Sequence, residues 1–382
     1  MIRASSISRV LVGLAAMALV ASACTSTGTA APSAAPSVAA SGAAPSTAAK
    51  TYTIGYSNGG GVGNGFREEQ VCTAKAQAKA SGQVSNLTVI HRNTDAAGQL
   101  ADIRTLIAKN VNAIVFNPND PAALNPALAE AHAAGIPTVS VDAFVTDPNT
   151  WNLYNNQVKY AELGAKWLFD QLGGTGTVWY TRGIAGNPAD SDRDTGFKNI
   201  LKNYPNIKVV PTQDGVFTGW DPAKATQVAN DFIQSGQYDK IDGIWASGMG
   251  KQIVDAIKAA NKPFKPIADA DVGGFVAQLL DPTNFPGLKG AAVTNTASVG
   301  GAGITLALKL LNGETVAASA GAKPNTILLD PVLLDNLTDT GKAGLKAWVS
   351  VPNMDPLWPL SLSIQGWTTY DPNTVPASCK GA

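Results

Sequence analysis

The feature that most constrains the fold of this chain is a regular alternation of short β-branched runs with segments of helical periodicity, beginning at residue 53. A strand followed by a helix and another strand favours parallel pairing, with the helices packed on the faces of the sheet. The alternation runs through two successive series of about 100–150 residues each, the usual size of a domain. The predicted fold class is therefore α/β, with two doubly wound parallel-sheet lobes.

The predicted elements follow from period-2 and period-3.6 patterns of apolar residues. In the first series the predicted strands are Thr53–Ser57, Leu87–His91, Ala113–Asn117 and Thr138–Asp142, and the predicted helices are Phe66–Ala80, Leu100–Lys109, Pro121–Ala134 and Val158–Leu172. In the second series the predicted strands are Thr177–Thr181, Lys208–Pro211, Gly243–Ala246, Pro266–Ala270 and Ala291–Thr294, and the predicted helices are Asp192–Asn203, Pro222–Gln234, Gly250–Ala260, Gly273–Leu280 and Val299–Leu311. Residues 343–382, rich in Pro and Trp, predict an irregular extension packed on a lobe.

The first fifty residues carry signals for export and tethering rather than for a folded domain. Arg3 and Arg9 form a positive region before an apolar stretch that is too short to span a bilayer comfortably, and small residues follow the stretch, which predicts a signal peptide over residues 1–23. The next residue, Cys24, resembles the acylated cysteine of a bacterial lipobox; the alternative is ordinary cleavage with a free cysteine. Residues 24–50 are rich in Ala, Ser, Thr and Pro, which predicts a flexible linker.

Charge and composition exclude several functions. The chain has 28 basic and 28 acidic residues, so it lacks the positive charge that a nucleic-acid binder needs. It has 2 His and 3 Cys, and no HExxH, CxxC or GxSxG motif occurs in the sequence. We therefore expect no metal site, no cofactor and no catalytic activity.

Polar residues follow nearly every predicted strand, at the sheet edge where ligands of open α/β folds bind. They include the run Asn58–Phe66 after the first strand, Asn117 and Asp142 in the first series, and Trp220, Asp271 and Asn295 in the second. Asp and Asn exchange hydrogen bonds with hydroxyl groups, Arg donates them, and aromatic faces cover the C–H faces of a sugar ring. These residue types suit recognition of a neutral polyol.

Six segments at matching order and spacing resemble the type I periplasmic sugar-binding proteins of the ribose, galactose and xylose group, over about residues 52–330. The segments are Ile54–Ser57, Ala113–Pro118, Ala134–Asp142, Arg193–Phe197, Pro266–Asp271 and Ala292–Asn295. The resemblance implies ligand contacts at Asn117, Asp142, Asn156, Arg193, Trp220, Asp271 and Asn295. In the first loop it leaves Asn58, Asn64 and Phe66 as alternatives, of which we select Asn64 and Phe66.

Four of these residues also suit roles that involve no ligand. Asn117 suits a turn before proline, Asp271 a helix cap, Trp220 a core position and Arg193 a surface position near a helix start. The sequence departs from the family at Ala143, where the family often has Arg, and at Ala246–Met249, which lacks the usual Asn-Asp pair. These departures leave the identity of the sugar open.

Cys72 and Cys379 remain after Cys24 is assigned to lipidation. In an exported chain two such cysteines favour a disulfide, here one that pins the Trp-rich tail to the first lobe; the alternative is two separate thiols.

The resemblance implies two lobes joined by a three-strand hinge, with crossings near Asn156, Asn295 and Leu329. The expected domains are residues 51–156 with 296–328, and residues 157–295 with 329–382. The expected function is capture of a monosaccharide between the lobes and its delivery to the permease of an ABC importer, by a monomer anchored by lipid to the outer face of the cytoplasmic membrane. The alternatives are a receptor subunit that senses a sugar or furanosyl signal and a secreted carbohydrate-active enzyme.

Overall fold

The computed structural model describes residues 50–59 and 64–379. The predicted signal peptide, Cys24 and all of the linker before residue 50 lie outside the described residues.

Strands and helices alternate along these residues as the sequence predicts. The strands are β1 Tyr52–Asn58, β2 Val84–His91, β3 Ala113–Asn117, β4 Thr138–Val141, β5 Trp151–Asn155, β6 Thr175–Arg182, β7 Asn206–Val210, β8 Val216–Phe217, β9 Gly243–Trp245, β10 Ile267–Ala270, β11 Gly290–Val293, β12 Thr326–Leu329 and β13 Leu333–Asp335. The helices are α1 Gly65–Ser81, α2 Ala96–Ala108, α3 Asn125–Ala133, α4 Gln157–Gln171, α5 Pro188–Leu201, α6 Pro222–Gln234, α7 Gly250–Ala259, α8 Gly273–Leu279, α9 Val299–Leu311, α10 Asp339–Trp348 and α11 Val375–Ser378.

Two sheets form two lobes. The first sheet has the order β12-β5-β4-β3-β1-β2, and its strand pairs are all parallel. The second has the order β13-β11-β10-β9-β6-β7, with β8 paired to β6; its pairs are parallel except for β11 with β13. The first lobe thus contains β1–β5, α9 and β12, and the second contains α4–β11 and β13. This confirms the predicted fold class.

Both faces of each sheet are apolar, as a parallel sheet covered by helices requires. In β3, Val115 packs with α1 and α9 on one face, while Ile114 and Phe116 pack with α2 and α3 on the other. In β9, Ile244 faces α6–α8 and Trp245 faces α4 and α5. Helices therefore cover both faces of each sheet. In open α/β sheets of this kind, the place for a ligand is beyond the carboxyl ends of the strands.

Three segments cross between the lobes side by side, after β5, after β11 and after β12. The Asn156 amide donates to the Leu329 carbonyl at 2.9 Å. The Thr294 amide donates to the Val332 carbonyl, and the Val332 amide donates to the Thr294 hydroxyl, each at 2.8 Å. The crossings lie near the positions that the resemblance implies.

Two parts of the sequence prediction were wrong. The strands β5, β8, β12 and β13 were not predicted, and within residues 343–382, expected to be irregular, residues 343–348 complete the helix α10 and residues 375–378 form α11. The start of α10 carries recognisable signals, since Thr338 caps the Gly341 amide and Asp339 lies in the first turn. Gly341 and Gly344 interrupt the helical periodicity of apolar residues in α10, so the helix was not recognised. Several helix starts were also placed up to four residues too late or too early, as for α5 and α3.

The tail packs on both lobes. A disulfide joins Cys72 of α1 to Cys379, the pairing that the sequence favours, and closes a loop of sequence separation 307. Around it Trp358, Leu362, Tyr370 and Val375 are buried with Ala76. The tail therefore buries its aromatic residues against the first lobe after leaving the second.

We expect Gly300→Ala to lower the free energy of unfolding by about 1–3 kcal/mol, because overpacking a tight helix contact has this cost. A Cβ at Gly300 of α9 would lie 2.1 Å from the Gln70 carbonyl oxygen of α1, where only glycine fits. Urea unfolding checks the prediction. The control is Lys309→Ala, also on α9, which removes the surface ion pair of Lys309 with Glu314 and should cost less than about 1 kcal/mol. Equal stability of Gly300→Ala and the wild type would contradict the close packing of α1 on α9.

Candidate functional site

A cavity of about 820 Å³ lies between the carboxyl edges of the two sheets and is lined by residues of both lobes. Six of the nine predicted ligand residues line it. These are Asn64, Phe66, Asp142, Arg193, Trp220 and Asn295. Since β4 and β11 end beside the cavity, the structure brings together residues that are far apart in the sequence, at the edge where open α/β sheets bind ligands.

On the first lobe, Asp142 is a buried acidic group that lines the cavity. It follows β4 directly and has a φ of 69°, a left-handed conformation that is uncommon for residues other than glycine. Its Oδ2 accepts a hydrogen bond from Asn117 Nδ2 at 3.2 Å. Burial raises the pKa of Asp142, while the positive charges of Arg67 and Arg193 and the bond from Asn117 act in the opposite direction.

Asn117 lies beneath the cavity rather than in its lining. It is fully buried, and its Nδ2 also donates to Gln70 Oε1 at 2.8 Å. Its Oδ1 has no hydrogen-bond partner within the described structure. Asn117 is therefore placed to orient Asp142. Its side chain would have to rotate, or a water would have to bridge, for Asn117 to reach a ligand.

Arg67 is a cavity residue that the sequence analysis missed. It lies on the first turn of α1 and its Nη1 donates to Asn58 Oδ1 at 3.0 Å. Burial lowers the pKa of Arg67, and the negative charge of Asp142 raises it. The neighbouring Asn64 caps α1 by accepting from the Arg67 amide at 3.2 Å. Asn64 thus fixes the helix start that brings Arg67 and Phe66 to the cavity.

On the second lobe, Arg193 is the basic group of the site, and it is 4% exposed. Its Nε donates to Gln157 Oε1 at 2.8 Å, and its Nη1 donates to the Ser247 carbonyl at 3.2 Å. The guanidinium lies over the Tyr160 ring at 4.2 Å from the centroid and at 5.2 Å from that of Trp220. These contacts hold the guanidinium group in one orientation and leave some of its five N–H groups to donate to a ligand.

Two aromatic rings border the cavity, Phe66 from the first lobe and Trp220 from the second. Both also line a small adjoining recess of about 40 Å³. Trp220 Nε1 donates to the Ser247 carbonyl at 2.7 Å, the same oxygen that Arg193 contacts. Trp220 and Ser247 each have a φ of 49°. Left-handed backbone at non-glycine residues is costly and concentrates at functional sites. Three of the described residues that adopt it, Asp142, Trp220 and Ser247, lie around this cavity.

Gln157 connects the crossings to the site and was also missed. Its Oε1 accepts from Arg193, and its Nε2 donates to Asn295 Oδ1 at 2.9 Å. Gln157 directly follows Asn156, the residue that the family resemblance selected. Asn156 itself lies outside the cavity lining. It caps α4, and its Nδ2, in the crossing after β5, donates at 3.0 Å to Asp330 Oδ1 in the crossing after β12. Which of two neighbouring polar residues points into a cleft depends on the backbone at the crossing.

Asp271 also lies outside the lining. Its Oδ1 accepts from the Asn295 amide at 2.9 Å and its Oδ2 from the Ser361 amide at 3.0 Å, so it ties a crossing and the tail to the second sheet. It does not cap α8, whose N-cap is Val272. Burial raises the pKa of Asp271 to about 6, with the backbone hydrogen bonds opposing the shift.

The formal charges of the lining nearly cancel. Two basic residues, Arg67 and Arg193, face three acidic ones, Asp95, Asp142 and Asp221, so the sum is −1. Together with the two aromatic rings, this arrangement suits an uncharged ligand with many hydroxyl groups.

Among the described residues no cluster of His, Cys, Asp and Glu is arranged to hold a metal ion. A search of the same residues for a helix both long enough and apolar enough to span a bilayer also finds none.

Comparisons with known proteins agree with this geometry. The sequence profile of a family described as periplasmic binding protein domain matches residues 54–315. A xylitol-binding protein of Mycolicibacterium smegmatis is 27% identical over 227 residues, which are 59% of this chain and 63% of that protein. A galactofuranose-binding protein of Escherichia coli is 30% identical over 224 residues, or 56% of this chain and 69% of that protein. The match to the first relative thus spans less than two thirds of its length.

The fold has a counterpart among solved structures. A solute-binding protein of an ABC transporter from Thermobispora bispora superposes with a TM-score of 0.67 at 26% identity. The superposition covers 81% of this chain and 90% of that one.

We expect Asp271→Asn to change how stability depends on pH. Because the folded-state pKa of Asp271, about 6, lies above its usual value, the folded protein holds an extra proton between about pH 4 and pH 6, and this group's contribution to stability falls as the pH rises through that range. Relative to the variant, the wild type should lose about 1–3 kcal/mol between these pH values. Unfolding curves measured from pH 4 to pH 7 test this; parallel profiles of the two proteins would show that Asp271 titrates normally.

Proposed function

The chain belongs to the periplasmic binding protein family, and on that premise we propose that it captures a monosaccharide or a related polyol in the cavity between its lobes. The observation that carries the proposal is the lining itself, in which Asp142 faces the cavity from one lobe and Arg193 from the other. A hydroxylated ligand would complete the hydrogen bonds of both groups, so binding would favour a state in which the lobes are close.

The aromatic residues support a sugar over a small polar solute. Phe66 and Trp220 would cover the C–H faces of a ring while Asp142, Arg193 and Asn295 bind its hydroxyl groups. Two of the similar proteins are named for xylitol and galactofuranose, which are neutral and rich in hydroxyls. We propose further that the loaded protein, a monomer, delivers its ligand to the permease of an ABC importer and does not transform it.

A thermal-shift screen over pentoses, hexoses, polyols and nucleosides identifies the ligand, and titration calorimetry then tests the site. Arg193→Ala and Asp142→Asn should each weaken binding by about 2–5 kcal/mol, because each leaves a buried polar partner unsatisfied. Asn is chosen at position 142 because it tolerates the left-handed backbone. The control Arg104→Ala removes an exposed ion pair with Glu130 on the first lobe and should bind as the wild type does. Unchanged affinity in both site variants, or chemical conversion of the sugar, would refute the proposal.

We also propose that Cys24 carries a lipid that anchors the protein to the outer face of the cytoplasmic membrane, with residues 24–50 as the tether. The support is the sequence alone, in which small residues precede Cys24 after an apolar stretch.

Cys24→Ala should lose labelling by palmitate and move from the membrane pellet to the soluble fraction, because one or two acyl chains supply the membrane affinity. The linker variant Ser41→Ala is the matched control and should remain in the pellet. Membrane attachment that survives in Cys24→Ala would rule out this anchor.

A further inference from the structure

The last part of the chain, residues 350–379, forms a segment that we call the C-terminal strap. It leaves α10 on the second lobe, passes the cavity and ends on α1 of the first lobe. It is a separate connection from the three crossings after β5, β11 and β12, and it contacts the crossing after β11 through hydrogen bonds from the Thr296 and Ser298 hydroxyls to the Ser361 carbonyl.

The strap is attached to the second lobe through its backbone. Four hydrogen bonds join residues 356–361 to residues 271–274, where β10 leads into α8. The donors and acceptors are Gly273 N to Trp358 O at 2.8 Å, Gly274 N to Pro356 O at 2.7 Å, Leu360 N to Asp271 O at 2.9 Å and Ser361 N to Asp271 Oδ2 at 3.0 Å. The buried Leu360 also belongs to the core of the second lobe. Such backbone pairing resembles an added strand and resists separation.

The strap is attached to the first lobe covalently. Cys379 is bonded to Cys72 of α1, and Thr369 exchanges two hydrogen bonds with Gln77 of the same helix, at 2.8 and 2.9 Å. Tyr370 and Val375 are buried beside this disulfide. The end of the strap therefore cannot leave the first lobe while the disulfide is intact.

Between its two attachments the strap forms part of the cavity wall. Pro359 lines the main cavity, and Leu357 lines the adjoining recess between Phe66 and Trp220. A Cβ at Gly65, the first residue of α1, would lie 2.6 Å from the Leu357 carbonyl oxygen. The strap backbone thus rests directly on the start of the helix that supplies Arg67 and Phe66.

We propose that the C-terminal strap limits how far the two lobes can separate, and that the Cys72–Cys379 disulfide is what makes this limit effective. With the bond intact, opening beyond the flexibility of residues 361 and 362 must either break the hydrogen bonds to the second lobe or peel residues 362–378 from the first lobe, and in both cases Cys379 stays attached to α1. With the bond reduced, only non-covalent contacts hold the strap on α1, chiefly the Thr369–Gln77 hydrogen bonds and the packing of Tyr370 and Val375, so the strap can leave α1 as the lobes separate. The limit on opening concerns the lobes themselves and does not rest on the proposed function.

The distance between spin labels at positions 97 and 185 measures the opening without any ligand. Both positions are exposed and lie on opposite rims, beside the cavity residues Ala96 and Ile184. Labels attached to genetically encoded ketone residues leave the cysteines untouched. We expect a shift to longer distances and a wider distribution in Cys379→Ser than in the oxidised parent.

Dithiothreitol provides the same comparison without a mutation. It transfers two electrons and two protons to the disulfide, which gives two thiols, and is itself oxidised to its cyclic disulfide. Reduction should reproduce the distribution of Cys379→Ser in the parent and should not change that of Cys379→Ser. The matched control Ser378→Ala loses a hydrogen bond to the Thr374 carbonyl but keeps the disulfide, so it should match the parent before and after reduction.

Circular dichroism confirms that each sample remains folded during the measurement. Identical distance distributions in the oxidised parent, the reduced parent and Cys379→Ser would overturn the proposal, because the lobes would then separate to the same extent with and without the bond. Since no sugar is present, this result is independent of whether the cavity binds one.

Discussion

The site depends on how the guanidinium group of Arg193 is kept in place while almost completely removed from water. A buried charge is very costly unless hydrogen bonds and nearby groups compensate it. Here Gln157 and the Ser247 carbonyl accept from it, and Tyr160 and Trp220 lie against it. These partners come from three parts of the second lobe, so the position of this one group fixes the start of α4, the turn after β9 and the loop before α6 relative to one another.

The first lobe presents the opposite charge under similar constraint. Asp142 is held in a left-handed conformation by the end of β4, and the buried amides of Asn117 and Gln70 support it from below. The two lobes thus present groups of opposite charge, Asp142 and Arg193, to one cavity. This follows from the fold, since the carboxyl edges of both sheets face the same space and the crossings lie to one side of it. The strap adds a second attachment beside the same space.

The fold could be predicted from the sequence because it depends on repeated local patterns. Continuous apolar runs such as Ala113–Asn117 and amphipathic helices such as Pro222–Gln234 have the predicted bounds. The short strand β5 lacked a following helix in the same lobe, and the glycines of α10 masked its period, so both were missed. For the site, the sequence led to Asp142 and Trp220 through their places after strands, and to Arg193 through the family resemblance. It did not lead to Arg67 or Gln157, because their roles arise from the direction of a side chain at a helix start and from a bridge across 138 residues to Asn295.

The most direct measurement of the central claim is a crystal structure of the protein grown with the sugar or polyol that stabilises it most. The account predicts the ligand between Phe66 and Trp220, with hydroxyl groups within hydrogen-bond distance of Asp142 on one lobe and Arg193 on the other. A ligand that contacts one lobe alone, or that binds away from this cavity while the lobes remain apart, would contradict it.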